Sequence, residues 1–198
     1  MGAKFDSLKG KRVLITGSSR GIGRALAVGF AQNGADVALH GVSRGSALDE
    51  TLGLVTRYGV RATCVLGDLG DPETPKRLVE ETVEKLGGID ILICNASIQI
   101  RRPWLEITDE DMLSQTRTNL FSTVKLMQSA VPHMLENRWG RIITIGSVQQ
   151  DMPHPDMLIY SAIKCAMLNI VRSLAVQLAD KNITVNNVPV GTIYTDRN

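Results

Sequence analysis

Short apolar runs alternate along this chain with longer segments of helical period. Val13–Ile15, Val37–Leu39, Ala62–Leu66, Ile89–Cys94, Ile142–Ile145 and Ile183–Val188 are short and rich in β-branched residues. Most lack polar alternation, as expected of strands buried on both faces. Between them the pattern predicts helices over Gly23–Gln32 and Ala47–Tyr58. A third helix has start and stop signals: Asp71 as cap, Pro72 at the first helical position and Gly87 as a left-handed terminator. A fourth begins at Thr108, which has capping-box spacing to Asp111, and runs toward Asn137, with Pro132 kinking or breaking it. A fifth covers about Met157–Asp180. Strand–helix alternation with right-handed crossovers predicts an α/β, doubly wound parallel sheet of Rossmann type, in strand order 3-2-1-4-5-6. Ligands of such sheets bind at the carboxyl ends of the strands, where the strand order reverses.

Composition narrows the picture. The 198 residues fit a single domain, and a 43% hydrophobic share with 4% aromatics predicts an aliphatic core. The formal charge is +2, with both signs interspersed, so no basic block is present to hold nucleic acid. Cys64, Cys94 and Cys165 are widely spaced and show no zinc-type spacing, so no metal is expected. Cys64 and Cys94 read as small core residues in a reducing compartment, and a cytoplasmic location is expected. Met1–Lys11 is polar and lacks an apolar signal segment. No apolar run approaches the ~20 residues that span a bilayer, so no membrane association is expected.

The segment Thr16-Gly17-Ser18-Ser19-Arg20-Gly21-Ile22-Gly23 leaves the first strand and opens the first helix. That context suits a dinucleotide loop, although the spacing is GxxxGxG rather than GxGxxG. Gly17 permits the sharp exit, Gly21 lets backbone approach a pyrophosphate, and Gly23 lets the helix pack close to the sheet. The first-turn N–H groups then face the phosphates. NAD sites usually place an acid after the second strand, yet Leu39-His40-Gly41-Val42-Ser43-Arg44 has none. Arg20 and Arg44 favour a 2′-phosphate, so NADP is the preferred cofactor, with NAD as the alternative. Asp68, followed by Leu69, ends the third strand and either accepts from the adenine amino group or caps a turn.

Tyr160 and Lys164 are four residues apart and share one helix face. Phenol is a poor acid at neutral pH, and a neighbouring ammonium favours the phenolate. Tyr160 can then exchange a proton with an alcohol or carbonyl oxygen. Lys164 can also donate to ribose hydroxyls. Ser147 follows the fifth strand, placed to polarise the same oxygen. Asn119 lies inside the fourth helix, where its side chain could hold a water that connects Lys164 to solvent.

With these residues the chain resembles the short-chain dehydrogenase/reductase family over nearly its whole length. The match rests on Thr16–Gly23, Asp68, Asn95-Ala96, Asn119, Ser147, Tyr160-Ser161-Ala162-Ile163-Lys164 and Val185-Asn186 through Thr195. The resemblance implies a catalytic tetrad of Asn119, Ser147, Tyr160 and Lys164, and hydride transfer with Tyr160 as acid or base. It implies a cofactor set of Gly17, Ser19, Arg20, Gly21, Ile22, Gly23, Arg44, Asp68, Leu69, Asn95, Ala96, Ser97, Tyr160, Lys164, Gly191, Ile193 and Thr195. It also implies a homodimer or homotetramer built on the fourth and fifth helices.

The chain departs from the family pattern in three places. Cys94-Asn95-Ala96-Ser97 stands where Asn-Asn-Ala-Gly is usual, placing a side chain at Ser97 near the ribose. Pro189-Val190-Gly191 replaces the usual Pro-Gly pair. The family pattern also continues past the position of Asn198 with a substrate-covering segment, a helix and a seventh strand. A chain lacking these would leave one sheet edge and the substrate side uncovered.

Substrate contacts are expected from Ser97–Trp104 and Ser147–His154, which are polar for substrate loops. The resemblance is nearest to sugar and sugar-acid dehydrogenases of gluconate type. A small-molecule sugar, polyol or sugar acid is therefore expected, met by Arg101, Ser147, Gln149 and Tyr160. The alternatives are a 3-oxoacyl-type ketone reductase, a cofactor-binding regulator without turnover, and a scaffold subunit.

Overall fold

A computed structural model describes residues 8–195 of the chain. Six strands, β1 (Arg12–Ile15), β2 (Asp36–Gly41), β3 (Ala62–Leu66), β4 (Ile91–Cys94), β5 (Gly140–Ser147) and β6 (Ile183–Val190), form one parallel sheet. Their order is β3-β2-β1-β4-β5-β6, as the alternation predicts. Six α-helices connect them: α1 (Gly21–Gln32), α2 (Ser46–Thr56), α3 (Thr74–Leu86), α4 (Asp109–Thr116), α5 (Ser122–Glu136) and α6 (Leu158–Leu178).

Both sheet faces are covered, which is why the central strands show no polar alternation. Val13 and Ile15 of β1 face the layer containing Ala27 and Ala31 of α1 and Leu48 and Val55 of α2. Leu14, between them, faces Leu78 of α3, Leu126 of α5 and Met167 of α6. Each fully buried aliphatic side chain contributes about 1.5–3 kcal/mol. β6 differs from this expectation. Lying at the sheet's edge among the described residues, it alternates, with Ile183 and Val185 buried and Thr184 and Asn186 exposed.

At the amino ends of β1 and β4, Arg12 and Asp90 are joined. Arg12 Nε donates to Asp90 Oδ2 at 2.7 Å and Nη2 to Oδ1 at 2.9 Å. Burial alone would raise the Asp90 carboxyl, but hydrogen bonds from Arg12 outweigh it and hold the group below the usual carboxylate range.

Two helix boundaries correct the sequence reading. α3 starts at Thr74 with Pro75, not Pro72, in its first turn. Asp71 instead makes a local turn, accepting from Glu73 N at 3.0 Å. Gly87 does end the helix, at φ 81°. The Thr108/Asp111 capping box forms in both directions. The fourth helix then changes not at Pro132 but at a π-helical turn, Arg117–Phe121. One missing donor does not end a helix whose buried stripe of Leu126, Ala130 and Met134 runs past Pro132.

α6 with its flanking turns, Pro155–Lys181, is long and apolar enough to cross a membrane by length and composition. The expectation that no run comes near that limit is thereby corrected. Here α6 lies on the sheet, burying Tyr160, Ile163, Lys164, Met167 and Val171.

Candidate active site

The strand order reverses between β1's two neighbours, β2 and β4, and a cleft of about 490 Å³ opens at their carboxyl ends. Gly17, Ser19, Arg20, Gly21, Ile22, Gly23, Asp68, Leu69, Asn95, Ala96, Ser97 and Thr195 line it. Gly17 sits at φ 63°, where a side chain would be strained and its Cβ would lie 2.9 Å from Ala96 Cα. A Cβ on Gly23 would lie 2.2 Å from Gly17 O, so only glycine lets α1 begin this close to the loop. The first turn of α1 carries no acidic residue and no side-chain cap, leaving its N–H groups toward the cleft. This cradle of bare backbone at a helix start fits a dinucleotide pyrophosphate.

Side chains hold the loop, and two of them, His40 and Arg24, have no role in the sequence reading. Thr16 is fully buried, and its Oγ1 accepts Asn95 N at 2.9 Å and Ala96 N at 3.0 Å. Asn95 Nδ2 answers by donating to Thr16 O and Gly17 O. His40, at 2% exposure, accepts Gly17 N–H on Nδ1 at 3.0 Å. That bond puts the neutral ring's proton on Nε2, 2.9 Å from Gly67 O. Burial pushes the His40 pKa down. Arg24 donates to Ser19 O at 2.8 Å and to Thr51 Oγ1 at 3.0 Å, tying the loop to α2. Histidine and arginine in ordinary strand and helix patterns carry no local signal of such bridges.

Two charges expected at the ribose part company. Arg20 is exposed and lines the cleft. Arg44 lies off the cleft wall, and its Nη2 is 2.5 Å from Asp49 Oδ1 of α2. Asp68 Oδ1 accepts Gly70 N–H at 2.8 Å, so it caps a turn while also lining the cleft. Gly191 and Ile193 are exposed and off the cleft wall, whereas Thr195 packs 3.4 Å from where a Gly21 Cβ would stand.

Beyond the cleft, α6 sets Lys164 Nζ 5.4 Å from the centre of the Tyr160 ring. Lys164 also donates to Ile145 O at 2.8 Å, on the strand that ends in Ser147. Tyr160 is 8% exposed, and its hydroxyl has no hydrogen bond among the described residues. Ser147 Oγ accepts Gln149 N at 3.2 Å, which leaves its own proton to donate. The side chain of Asn119 does not stand open to hold a water as expected. Its Oδ1 accepts Ile98 N at 2.9 Å and its Nδ2 donates to Ile98 O at 2.8 Å, bracing the fourth-strand loop from the π turn. π turns often mark functional sites for this reason: one side chain is displaced toward the site.

Of the expected substrate contacts, Gln149 is drawn into its own loop. Its Oε1 accepts His154 N at 2.6 Å and Ser161 Oγ at 3.5 Å. Arg101 is 56% exposed and meets His154. The same loops expose Trp104, Leu105 and Met152, so they are less polar at the surface than their sequence suggests.

A cleft at the reversal of a parallel sheet, floored by a glycine loop at a helix start, is the arrangement of a dinucleotide-binding fold. The family model of the short chain dehydrogenases matches residues 11–198. The chain is 39% identical over 194 residues to glucose 1-dehydrogenase of Gluconobacter oxydans, covering 98% of this chain and 73% of that protein. It is 35% identical over 191 residues to L-rhamnose 1-dehydrogenase (NADP(+)) of Thermoplasma acidophilum, covering 96% and 75%. The crystal structure of a 3-oxoacyl (acyl-carrier-protein) reductase from Agrobacterium tumefaciens with NADP bound matches at TM-score 0.92 and 39% identity, covering 96% and 73%. The chain spans between 64% and 76% of the length of the curated relatives it matches. It belongs to the short-chain dehydrogenase family, oxidoreductases of alcohol and carbonyl groups.

Proposed function

We propose that this chain interconverts an alcohol and a carbonyl on a sugar, polyol or sugar acid, with NADP as cofactor and Tyr160 as acid or base. The observation that carries the reading is the largely buried Tyr160, its hydroxyl without a partner among the described residues, with the Lys164 ammonium 5.4 Å from its ring centre. When bound, the nicotinamide supplies or accepts the hydride. Tyr160 gives its proton to the carbonyl oxygen in reduction and recovers it in oxidation. Lys164 supports the charge that remains on the phenol oxygen. Ser147 donates its hydroxyl proton to the reacting oxygen, and Asn119 keeps the Ile98 backbone fixed beside it. Gly17, Gly21, Gly23 and the start of α1 would hold the pyrophosphate of the bound cofactor.

The lack of an acid after β2 and the place of Arg20 on the cleft wall support NADP. Two similar proteins carry NADP in their descriptions. Arg44 would have to leave Asp49 to contribute. The free cysteines Cys64, Cys94 and Cys165 support a reducing, cytoplasmic setting. Assembly as a homo-oligomer is supported by an apolar cavity of about 650 Å³ between Leu69, Pro72, Leu120, Phe121 and Ile170.

Tyr160→Phe is expected to lower NADPH-dependent carbonyl reduction by about 10²–10⁴-fold while NADPH still binds, and more tightly than NADH. Unchanged turnover in the variant would sink the mechanism. Binding without turnover in the unaltered chain would favour a regulator. A stable oligomer without cofactor binding would favour a scaffold.

A second reading, reduction of a 3-oxoacyl chain, is favoured by exposed Trp104, Leu105, Val148 and Met152 on the substrate loops. It also agrees with the description of the Agrobacterium structure. Activity on acyl ketones and none across a sugar and sugar-acid panel would select it.

A further inference from the structure

His154 opens the short turn Pro155–Met157 ahead of α6, and its Nδ1 accepts the backbone N–H of Asp156 at 3.1 Å. A ring nitrogen that accepts carries no proton, so the proton of the neutral ring sits on Nε2. Nε2 lies 3.2 Å from Nη2 of Arg101, on the fourth-strand loop. A guanidinium nitrogen only donates. Two donors therefore meet at hydrogen-bond distance with no acceptor between them.

The surrounding groups do not resolve this contact. Asp156 Oδ2 is 3.9 Å from Arg101 Nη2 and 3.9 Å from His154 Nδ1, beyond hydrogen-bond reach of either. The neighbouring guanidinium, Arg102, is already paired, with Nε 2.8 Å from Asp111 Oδ2. The Arg101/His154 pair is also tied to the reaction centre. His154 N donates to Gln149 Oε1 at 2.6 Å, and Gln149 N donates to Ser147 Oγ at 3.2 Å.

We propose that Arg101 and His154 form a carboxylate subsite between the loops that follow β4 and β5, where one anionic group accepts from both nitrogens. The inference rests on the oxidoreductase reading and narrows its substrates from sugars in general to acid-bearing alcohols and carbonyls. A guanidinium fork matches a carboxylate, and an acceptor there converts a donor–donor contact into two charge-assisted hydrogen bonds. The nearby Asp156 carboxylate disfavours a doubly charged phosphate more than a singly charged acid.

The test is calorimetric titration of the NADPH-loaded chain with D-gluconate, sorbitol and sorbitol 6-phosphate. Reduced cofactor with an alcohol cannot turn over, so binding is read alone. Gluconate is expected to bind at least about tenfold more tightly than sorbitol, by the usual strength of a charge-assisted pair. Arg101→Leu is expected to remove that advantage, bringing gluconate to the affinity of sorbitol, with His154→Phe giving a smaller loss. Equal affinity for gluconate and sorbitol, an Arg101→Leu variant that keeps the preference, or tighter binding of the phosphate would each overturn the subsite. Turnover separates the two readings. Arg101-dependent gluconate binding with no hydride transfer from gluconate to NADP, and none from NADPH to the corresponding keto acid, would sink the oxidoreductase reading and keep the subsite. Turnover of neutral polyols with no acid preference would do the reverse.

Discussion

His40 shows how much one side chain decides here. In the sequence it is one residue of an apolar strand. In the fold its two ring nitrogens join Gly17 to Gly67, and so join the phosphate loop to the end of β3. The bond from Gly17 N–H requires an unprotonated Nδ1, and burial disfavours the charged ring. The pH dependence follows from that direction. The folded-state pKa lies below the ordinary histidine value of 6.5, so below that pH the unfolded chain binds more protons than the folded one. Stability from neutral His40 is fully present above 6.5 and falls as pH drops from there toward the folded-state pKa. Unfolding free energies from urea titration are therefore expected to fall between about pH 7 and 5, by up to ~1.4 kcal/mol per pH unit for this one group. His40→Asn, which keeps an acceptor and a donor without titrating, is expected to flatten that slope. An unaltered slope would show that other groups set the acid limit.

At the scale of elements, the alternation of apolar runs and helical segments gave the strand order, because burial on both faces leaves its mark on every central strand. Helix limits were less legible. The capping box of α4 and Gly87 after α3 involve near neighbours and could be read directly. The π turn at Arg117–Phe121 could not, because it comes with Asn119 reaching Ile98, 21 residues earlier. The Arg12–Asp90 pair is likewise invisible locally, since 78 residues separate its members. Arg12→Met is expected to cost about 3 kcal/mol, because it removes the cation from the buried Asp90 carboxylate and leaves it only the backbone N–H of residue 12. Pairing it with Asp90→Leu is expected to restore most of that loss in urea unfolding. A loss as large in the double variant would mean that packing, not charge, holds the two strands.

For the molecule as a whole, the outer faces of α5 and α6 stand out. Phe121 is 55% exposed beside the apolar cavity, and Val176 of α6 is 80% exposed. Phe121→Asp is expected to shift sedimentation of the chain toward the monomer if these faces join copies, with the secondary structure unchanged by circular dichroism. No shift would place any assembly elsewhere.

The sequence by itself determined the α/β layering, the parallel order, the glycine loop at the end of β1 and the spacing of Tyr160 to Lys164. All of these depend on residues close in the chain or on periodicity within one element. Tertiary structure alone decided which polar groups are already engaged. It paired Arg44 with Asp49, turned Asn119 toward Ile98, drew Gln149 to His154, and set His154 against Arg101 across 53 residues. Hydrogen bonds are short-ranged and directional, so partners distant in sequence become definite only when the strands have brought their loops to one end of the sheet.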